Sequence, residues 1–477
     1  MSDPSPFLVG GVWRGSAETV PVCFPFTGEP VGQVCLAGDA DIDDAVRAAV
    51  SGFAVTRRLP AHVRSRILYS LADRIEERAD ELVEALILEA GKTRTLARGE
   101  VARAGETIRV AAEEARRIGG EILPLDWSAA GEGYTGYIRR FPLGPVLCIT
   151  PFNFPLNLAC HKVGPAVAAG NSVILKPATK TPLSGLLLGE MLLAAGFPPE
   201  AISVLPCSSA RAERLAADER IAYVSFTGSP KVGWHLRSIA KKRIGLELGG
   251  NAAAIVHEDA DIRYAASRIT SGGFSNAGQV CISVQRVFVH RRVFPEMLEA
   301  LLERVSLLKV GDPRESDTDI GPMISAAAAA DAAEKVAEAV RGGGRVLHGG
   351  SVAGALFSPT VLIETTPAMR VNSTEVFAPV ITVTPYDTFD EALAYANDSP
   401  FGLQAGVFTR DIRRIMQAFD DLSVGGLLIN DIPTFRMDHM PYGGVKASGL
   451  GHEGPRYAIE EMTEMRMMVV NMGGSDR

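Results

Sequence analysis

Beyond residue 140 the chain repeats one texture, and this constrains its fold more than any other feature: short apolar runs each end on Gly, Pro or Asn and give way to a helical stretch. Pro145-Val146-Leu147-Cys148-Ile149-Thr150 is such a run, and so are Asn171-Ser172-Val173-Ile174-Leu175 and Ala201-Ile202-Ser203-Val204-Leu205. Strands alternating with helices imply a parallel α/β sheet with helical crossovers. Ligands of such sheets gather beyond the carboxyl ends of the strands. Asn153, Lys176 and Thr227-Gly228-Ser229 fall there. A second α/β stretch runs from about 250 to 440, and Thr463 to Val470 reads as an edge strand used for assembly.

Residues 41–118 read as helical. Asp39 and Asp41 cap a first segment, and a second begins after Pro60, with Ile67, Leu68, Leu71, Ile75 and Leu82 at roughly helical spacing. Gly91 is a helix stop, and a third segment runs from Glu100 to Ile118. No internal repeat is visible, and the Ala-rich run 326–333 reads as ordinary helix.

The chain has 477 residues, enough for two or three units, and 47% of them are apolar, as in a soluble globular protein. A net charge of -8 disfavours nucleic acid and anionic lipid as partners. Six cysteines without a C-x-x-C or a His/Cys cluster support neither a disulfide framework nor a metal site, and a reducing cytoplasm fits best. Met1-Ser2-Asp3-Pro4 does not begin a signal peptide, and no run is long and apolar enough for a membrane span.

Cys281 follows a glycine-containing loop, Asn276-Ala277-Gly278-Gln279-Val280, between a capped helix from Asp261 and a strand from Gln285. A lone cysteine is usually an inert buried thiol. A loop at a helix–strand junction can instead present the sulfur, and a free backbone N–H, to a cleft. Glu247, in Gly245-Leu246-Glu247-Leu248-Gly249-Gly250-Asn251, reads equally as a strand-end charge facing water or as a carboxyl among apolar neighbours, with a raised pKa and a route to activate water. Asn153 between two prolines is first a turn residue, and secondly an amide donor for an oxyanion. Thr227-Gly228-Ser229 forms a strand-to-helix turn whose N–H groups suit a pyrophosphate, although it is not G-x-G-x-x-G.

F-N-F-P, K-P-A, F-T-G-S, E-L-G-G-N, G-Q-x-C, E-V-F-A-P and P-Y-G-G-V-K-x-S-G occur in this order along the chain. Together they strongly resemble the aldehyde dehydrogenase superfamily, over essentially the whole sequence. The resemblance implies Cys281 as nucleophile, Glu247 as general base and Asn153 as oxyanion donor. It implies that Lys176 and Glu375 hold the riboses of NAD or NADP, that Phe377 packs near the nicotinamide, and that Thr227, Gly228 and Ser229 border the pyrophosphate and nicotinamide. It implies a Rossmann-type cofactor domain (1–116 and 139–246), an α/β catalytic domain (247–440) and a small bridging β element (117–138 and 455–477) used in a homodimer or homotetramer.

Two features refine the expectation. Many NAD-preferring relatives carry Glu where this chain has Thr179, so the 2′-phosphate of NADP would meet no like charge here. Pro433-Thr434-Phe435-Arg436-Met437-Asp438-His439-Met440-Pro441 resembles the lactaldehyde dehydrogenase-like and non-phosphorylating glyceraldehyde-3-phosphate dehydrogenase-like branches. Arg103 falls where the phosphate-binding branch has an arginine, but Val280 and Phe154 replace its other Arg and its Tyr. A small polar or singly anionic aldehyde is therefore the expected substrate, with Arg103 at its polar end. The alternatives are a CoA-acylating dehydrogenase and a catalytically silent binding protein of the same fold.

Overall fold

The computed structural model describes residues 3–472. Met1 and Ser2, and the last five residues of the 455–477 range, lie outside the described residues. The apolar runs form the middle of an eight-stranded sheet ordered Val12–Arg14, Phe7–Val9, Ile202–Val204, Ser172–Lys176, Pro145–Ile149, Tyr223–Thr227, Arg243–Glu247, Gly449–Leu450. The five strands from Ile202–Val204 across to Arg243–Glu247 are mutually parallel. Four of these five bury every residue, which explains their unbroken Val/Ile/Leu texture. Chain order runs outward from Pro145–Ile149 in one direction and then, from Tyr223, in the other. That reversal opens a crevice at the strand ends carrying Asn153 and Thr227.

A second sheet has seven strands, ordered Arg345–His348, Thr360–Ile363, Val380–Tyr386, Arg286–His290, Ala253–Val256, Gln404–Phe408, Gly426–Ile429. It is parallel apart from its Arg345–His348 edge. A third, antiparallel sheet joins Thr463–Asn471, Tyr134–Pro142 and Gly120–Pro124. The boundary expected between 138 and 139 falls inside Tyr134–Pro142, because all nine of its residues pair with Thr463–Asn471.

The helical expectation for residues 41–118 needs two adjustments. Asp39 opens the first helix, Asp39–Thr56, and Asp41 accepts the Gly38 N–H at 3.0 Å. The second segment is two helices, Ala61–Glu77 and Ala79–Ala90, broken where Arg78 leaves helical geometry (φ −103°, ψ 25°). Gly91 ends the latter with φ +67°. The next helix, Arg94–Glu114, stops before Ile118. Among the described residues no helix is long and apolar enough to cross a membrane.

Candidate active site

All eleven residues singled out in the sequence line one cavity of about 870 Å³ between the two large sheets: Cys281, Glu247, Asn153, Lys176, Thr179, Thr227, Gly228, Ser229, Glu375, Phe377 and Arg103. The loop before Cys281 is held in an uncommon backbone. Helix Ile262–Phe274, capped by the Asp261 carboxylate on the Tyr264 N–H, leads into Asn276 (φ +52°), Ala277 (φ +54°) and Gly278 (φ +68°). Three successive left-handed residues, two of them not glycine, persist only where the surroundings impose them. Here the Gln279 side chain donates to Asn276 O at 3.1 Å and accepts the Ile324 N–H at 2.8 Å.

Glycines allow the motifs to touch. A Cβ on Gly278 would lie 2.0 Å from Ala378 O, so this position seats the Cys281 loop on E-V-F-A-P. A Cβ on Gly250 would lie 2.6 Å from Cys281 O, so the E-L-G-G-N loop packs against the cysteine itself. Asn153, buried at 6% exposure, donates one amide hydrogen to Gln279 O at 2.9 Å, which fixes its side chain beside the loop. Its second amide hydrogen and the Cys281 N–H have no acceptor among the described residues, which leaves two donors unengaged beside the sulfur.

Cys281 Sγ lies 3.0 Å from the Tyr442 hydroxyl. Burial pushes the thiol up to about 12, with the hydrogen bond to Tyr442 opposing that rise. Glu247 ends strand Arg243–Glu247 and is only 5% exposed, so the water-facing reading does not hold. Neither of its carboxylate oxygens has a hydrogen-bond partner among the described residues. Burial first, and repulsion from Glu453 second, raise its carboxyl well above the ordinary range.

The residues expected to hold the cofactor come from both sheets: Lys176, Thr179 and Thr227-Gly228-Ser229 lie at or beyond strand ends of the first, and Glu375 and Phe377 precede Val380–Tyr386 of the second. Lys176 ends strand Ser172–Lys176 and is nine-tenths buried. Ser229 begins helix Pro230–Ile239 without bonding its side chain back to that helix, which leaves N-terminal N–H groups for an anion. Glu375 accepts the Gly250 N–H at 3.0 Å, and burial lifts its carboxyl to about 7. Phe377 (φ +53°) packs edge-on against Phe152, ring centroids 5.8 Å apart. An open wall with a lysine, a carboxyl and a helix N-terminus fits a dinucleotide. Thr179 lines the same wall.

Arg103 reaches the cavity but is not free. Its guanidinium grips Asp438 at 2.8 and 3.0 Å, and Asp438 also accepts from Asn157 at 3.2 Å and lies 2.8 Å from His161 Nε2. Behind this pair runs a buried network that the sequence reading had not assigned. Arg436 bonds Glu453 at 3.2 Å and stacks its guanidinium 3.7 Å over the Tyr442 ring. Lys162 bonds the same Glu453 at 3.0 Å. Lys162 and Arg436 hold the Glu453 carboxyl down at about 2 against burial. Arg436 and Asp438 stood in the quoted segment 433–441, and Tyr442 in P-Y-G-G. Lys162 and His161 had one sequence signal: Asn157–Ala169 is helical yet has no polar face, and all of it is buried.

The places of the branch-specific residues are equally concrete. Phe154, where the phosphate-binding branch has Tyr, carries the Lys92 ammonium 3.7 Å over its ring. Val280, where that branch has Arg, is buried with Ile282, Leu403 and Tyr442 in a small apolar cluster behind the sulfur.

Comparison with known proteins agrees with this geometry. The model of the aldehyde dehydrogenase family matches residues 13–468. The chain is 44% identical over 466 residues to a 3-sulfolactaldehyde dehydrogenase of Priestia megaterium, covering 97% of each chain. The structure of aldehyde dehydrogenase 21 from Physcomitrella patens, in complex with the reaction product succinate, superposes with a TM-score of 0.97 at 40% identity, covering 99% of this chain and 100% of that one. A glyceraldehyde-3-phosphate dehydrogenase from Methanocaldococcus jannaschii, complexed with NADP, gives 0.92 at 35% identity, covering 96% and 99%. The chain belongs to the aldehyde dehydrogenase family, and its cofactor is NAD or NADP.

Proposed function

We propose that the protein oxidises a small aldehyde with a polar or anionic end to the carboxylic acid, through a thioester on Cys281 that water resolves. One observation carries the reading: Cys281 and Asn153, from two loops, and Glu247, from the end of a strand, line a single cavity together with Arg103 and Arg436. The Cys281 sulfur attacks the aldehyde carbon, and the carbonyl electrons move to oxygen. Asn153 and the Cys281 N–H hold that oxyanion. The bound nicotinamide supplies the chemistry of accepting the hydride. Glu247, deprotonated, takes a proton from the water that attacks the thioester, and the carboxylate leaves with Cys281 restored. A buried base at this position supports water rather than CoA as the acceptor, and opposes the silent-protein reading.

The charge around the cavity supports an anionic substrate. Arg103, Arg436 and Lys162 face two carboxylates, Asp438 and Glu453, that stay ionised, while burial lowers His161 and raises Glu247 towards their neutral forms. Within this network the three cations thus exceed the two carboxylates by one positive charge, which favours an anionic group beside Arg103. The Priestia relative named for a sulfonated aldehyde, and the Physcomitrella structure holding succinate, both involve small anions. Phe154 and Val280 leave the phosphate site incomplete. The open edge of Thr463–Asn471, with Met465, Met467, Met468 and Val469 exposed, supports assembly into a homodimer or homotetramer.

A panel of lactaldehyde, glycolaldehyde, succinic semialdehyde, sulfolactaldehyde, glyceraldehyde 3-phosphate and propanal, each with NAD and NADP, tests the substrate class. Arg103→Leu keeps apolar bulk and removes every donor. A charge-assisted contact is worth roughly 1.5–3 kcal/mol, so kcat/KM for the preferred anionic aldehyde falls about ten- to a hundredfold while propanal is nearly unaffected. Equal losses on both substrates would make Arg103 only the partner of Asp438 and would reject its substrate role.

A further inference from the structure

Among the described residues, Tyr442 is the one polar side chain in hydrogen-bond contact with the sulfur, at 3.0 Å. Its surroundings hold it still. Its backbone N–H and C=O exchange hydrogen bonds with Glu453 at 3.1 and 2.6 Å. One ring face lies under the Arg436 guanidinium, 3.7 Å away, and the ring packs with Val280, Ile282 and Leu403. A positive charge over the ring polarises the phenol and makes its O–H a stronger donor. Burial also holds the phenol well above its usual range, so it keeps its proton whenever the sulfur loses one. A thiolate only accepts, so the Tyr442 hydroxyl must then be the donor.

Resting on the assignment of Cys281 as the nucleophile, we propose that Tyr442 is a further catalytic residue, whose hydroxyl donates a hydrogen bond to the Cys281 thiolate as it forms in the apolar pocket and yields it as the sulfur attacks. The thiol proton passes to water. A sulfur lone pair forms the carbon–sulfur bond, the carbonyl π pair moves to oxygen, and Tyr442 keeps its own proton throughout. The bond makes up for the scarcity of cationic help at this sulfur: Glu247 and Glu375 both oppose the thiolate, and Arg436 favours it from behind Tyr442. The hydroxyl thus offsets part of the burial that a dry acyl-transfer site imposes on its nucleophile.

Tyr442→Phe removes one oxygen and leaves the packing and the Arg436 stack in place. The test is the rate of iodoacetamide alkylation at Cys281 against pH, read by mass spectrometry of its peptide, together with the pre-steady-state burst of reduced cofactor. In the variant the alkylation profile shifts to higher pH, the rate near neutrality falls about tenfold, and the burst slows by a similar factor, while cofactor affinity and the circular dichroism spectrum stay unchanged. An alkylation profile that superimposes on that of the unsubstituted enzyme overturns the proposal and leaves Tyr442 a packing residue. If alkylation of Cys281 leaves turnover intact, the nucleophile assignment itself fails and takes this proposal with it, a result distinct from an unshifted profile.

Discussion

Thr179 and Glu247 show how a single side chain sets the chemistry of its surroundings. Thr179 lines the cavity with Lys176, and its neighbour Lys180 bonds Ser325 at 3.2 Å. Thr179→Glu places a carboxylate there. Like charges at that range, partly shielded from water, cost NADP on the order of 1–3 kcal/mol, while the NAD 2′-hydroxyl gains an acceptor. The NADP/NAD ratio of kcat/KM is expected to fall about tenfold or more, since roughly 1.4 kcal/mol is one decade. An unchanged ratio in steady-state kinetics would show that Thr179 does not face the ribose. Glu247 meets the opposite problem, a carboxyl that burial first, and repulsion from Glu453 second, raise well above the ordinary range. A base must be ionised to act, so thioester hydrolysis accelerates as pH rises through its raised pKa.

The loops, more than the strands, carry the precision of the site. The run Asn276-Ala277-Gly278 turns the chain through left-handed geometry, and Gly278 meets the Ala378 carbonyl with no room for a methyl group. Gly278→Ala is expected to cost about 1–3 kcal/mol of stability, through strain at a position with φ +68° and displacement of a neighbouring backbone. It should slow Cys281 alkylation more than the fall in melting temperature alone explains. Unaltered alkylation at an unaltered melting temperature would mean that the loop does not need the glycine.

The same elements show what a reader of the sequence could reach. The strands and the motif residues were legible because apolar runs and turn glycines are local signals, and F-N-F-P, K-P-A, F-T-G-S and E-L-G-G-N each sit at or directly beyond the end of a strand. The network around Glu453 was not, because its members are separated by up to 291 residues, as in the Lys162–Glu453 pair. A lysine in a helix reads by default as a solvated charge. Arg103 illustrates the same limit: its position at the cavity was readable, but its partner Asp438, 335 residues away, was not. The break at Arg78 escaped because apolar spacing continues across it from Ile75 to Leu82.

At the scale of the whole molecule, the proposed reaction draws its residues from two sheets that meet at one cavity. Asn153 and Glu247 follow strands of the first, and Cys281 stands between a helix and a strand of the second. The short strand Gly449–Leu450 returns to pair with Leu246 and Glu247, closing the C-terminal segment of Tyr442 and Glu453 over the junction. The central claim is that this junction splits the oxidation into hydride transfer from an adduct on Cys281 and hydrolysis driven by Glu247. The most direct test mixes Glu247→Gln with aldehyde and cofactor in a stopped-flow instrument, then quenches for mass spectrometry of the Cys281 peptide. The account predicts a burst of reduced cofactor stoichiometric with active sites, a slow steady state, and an acyl group accumulated on Cys281. Full steady-state turnover with no acyl group on Cys281 would contradict it.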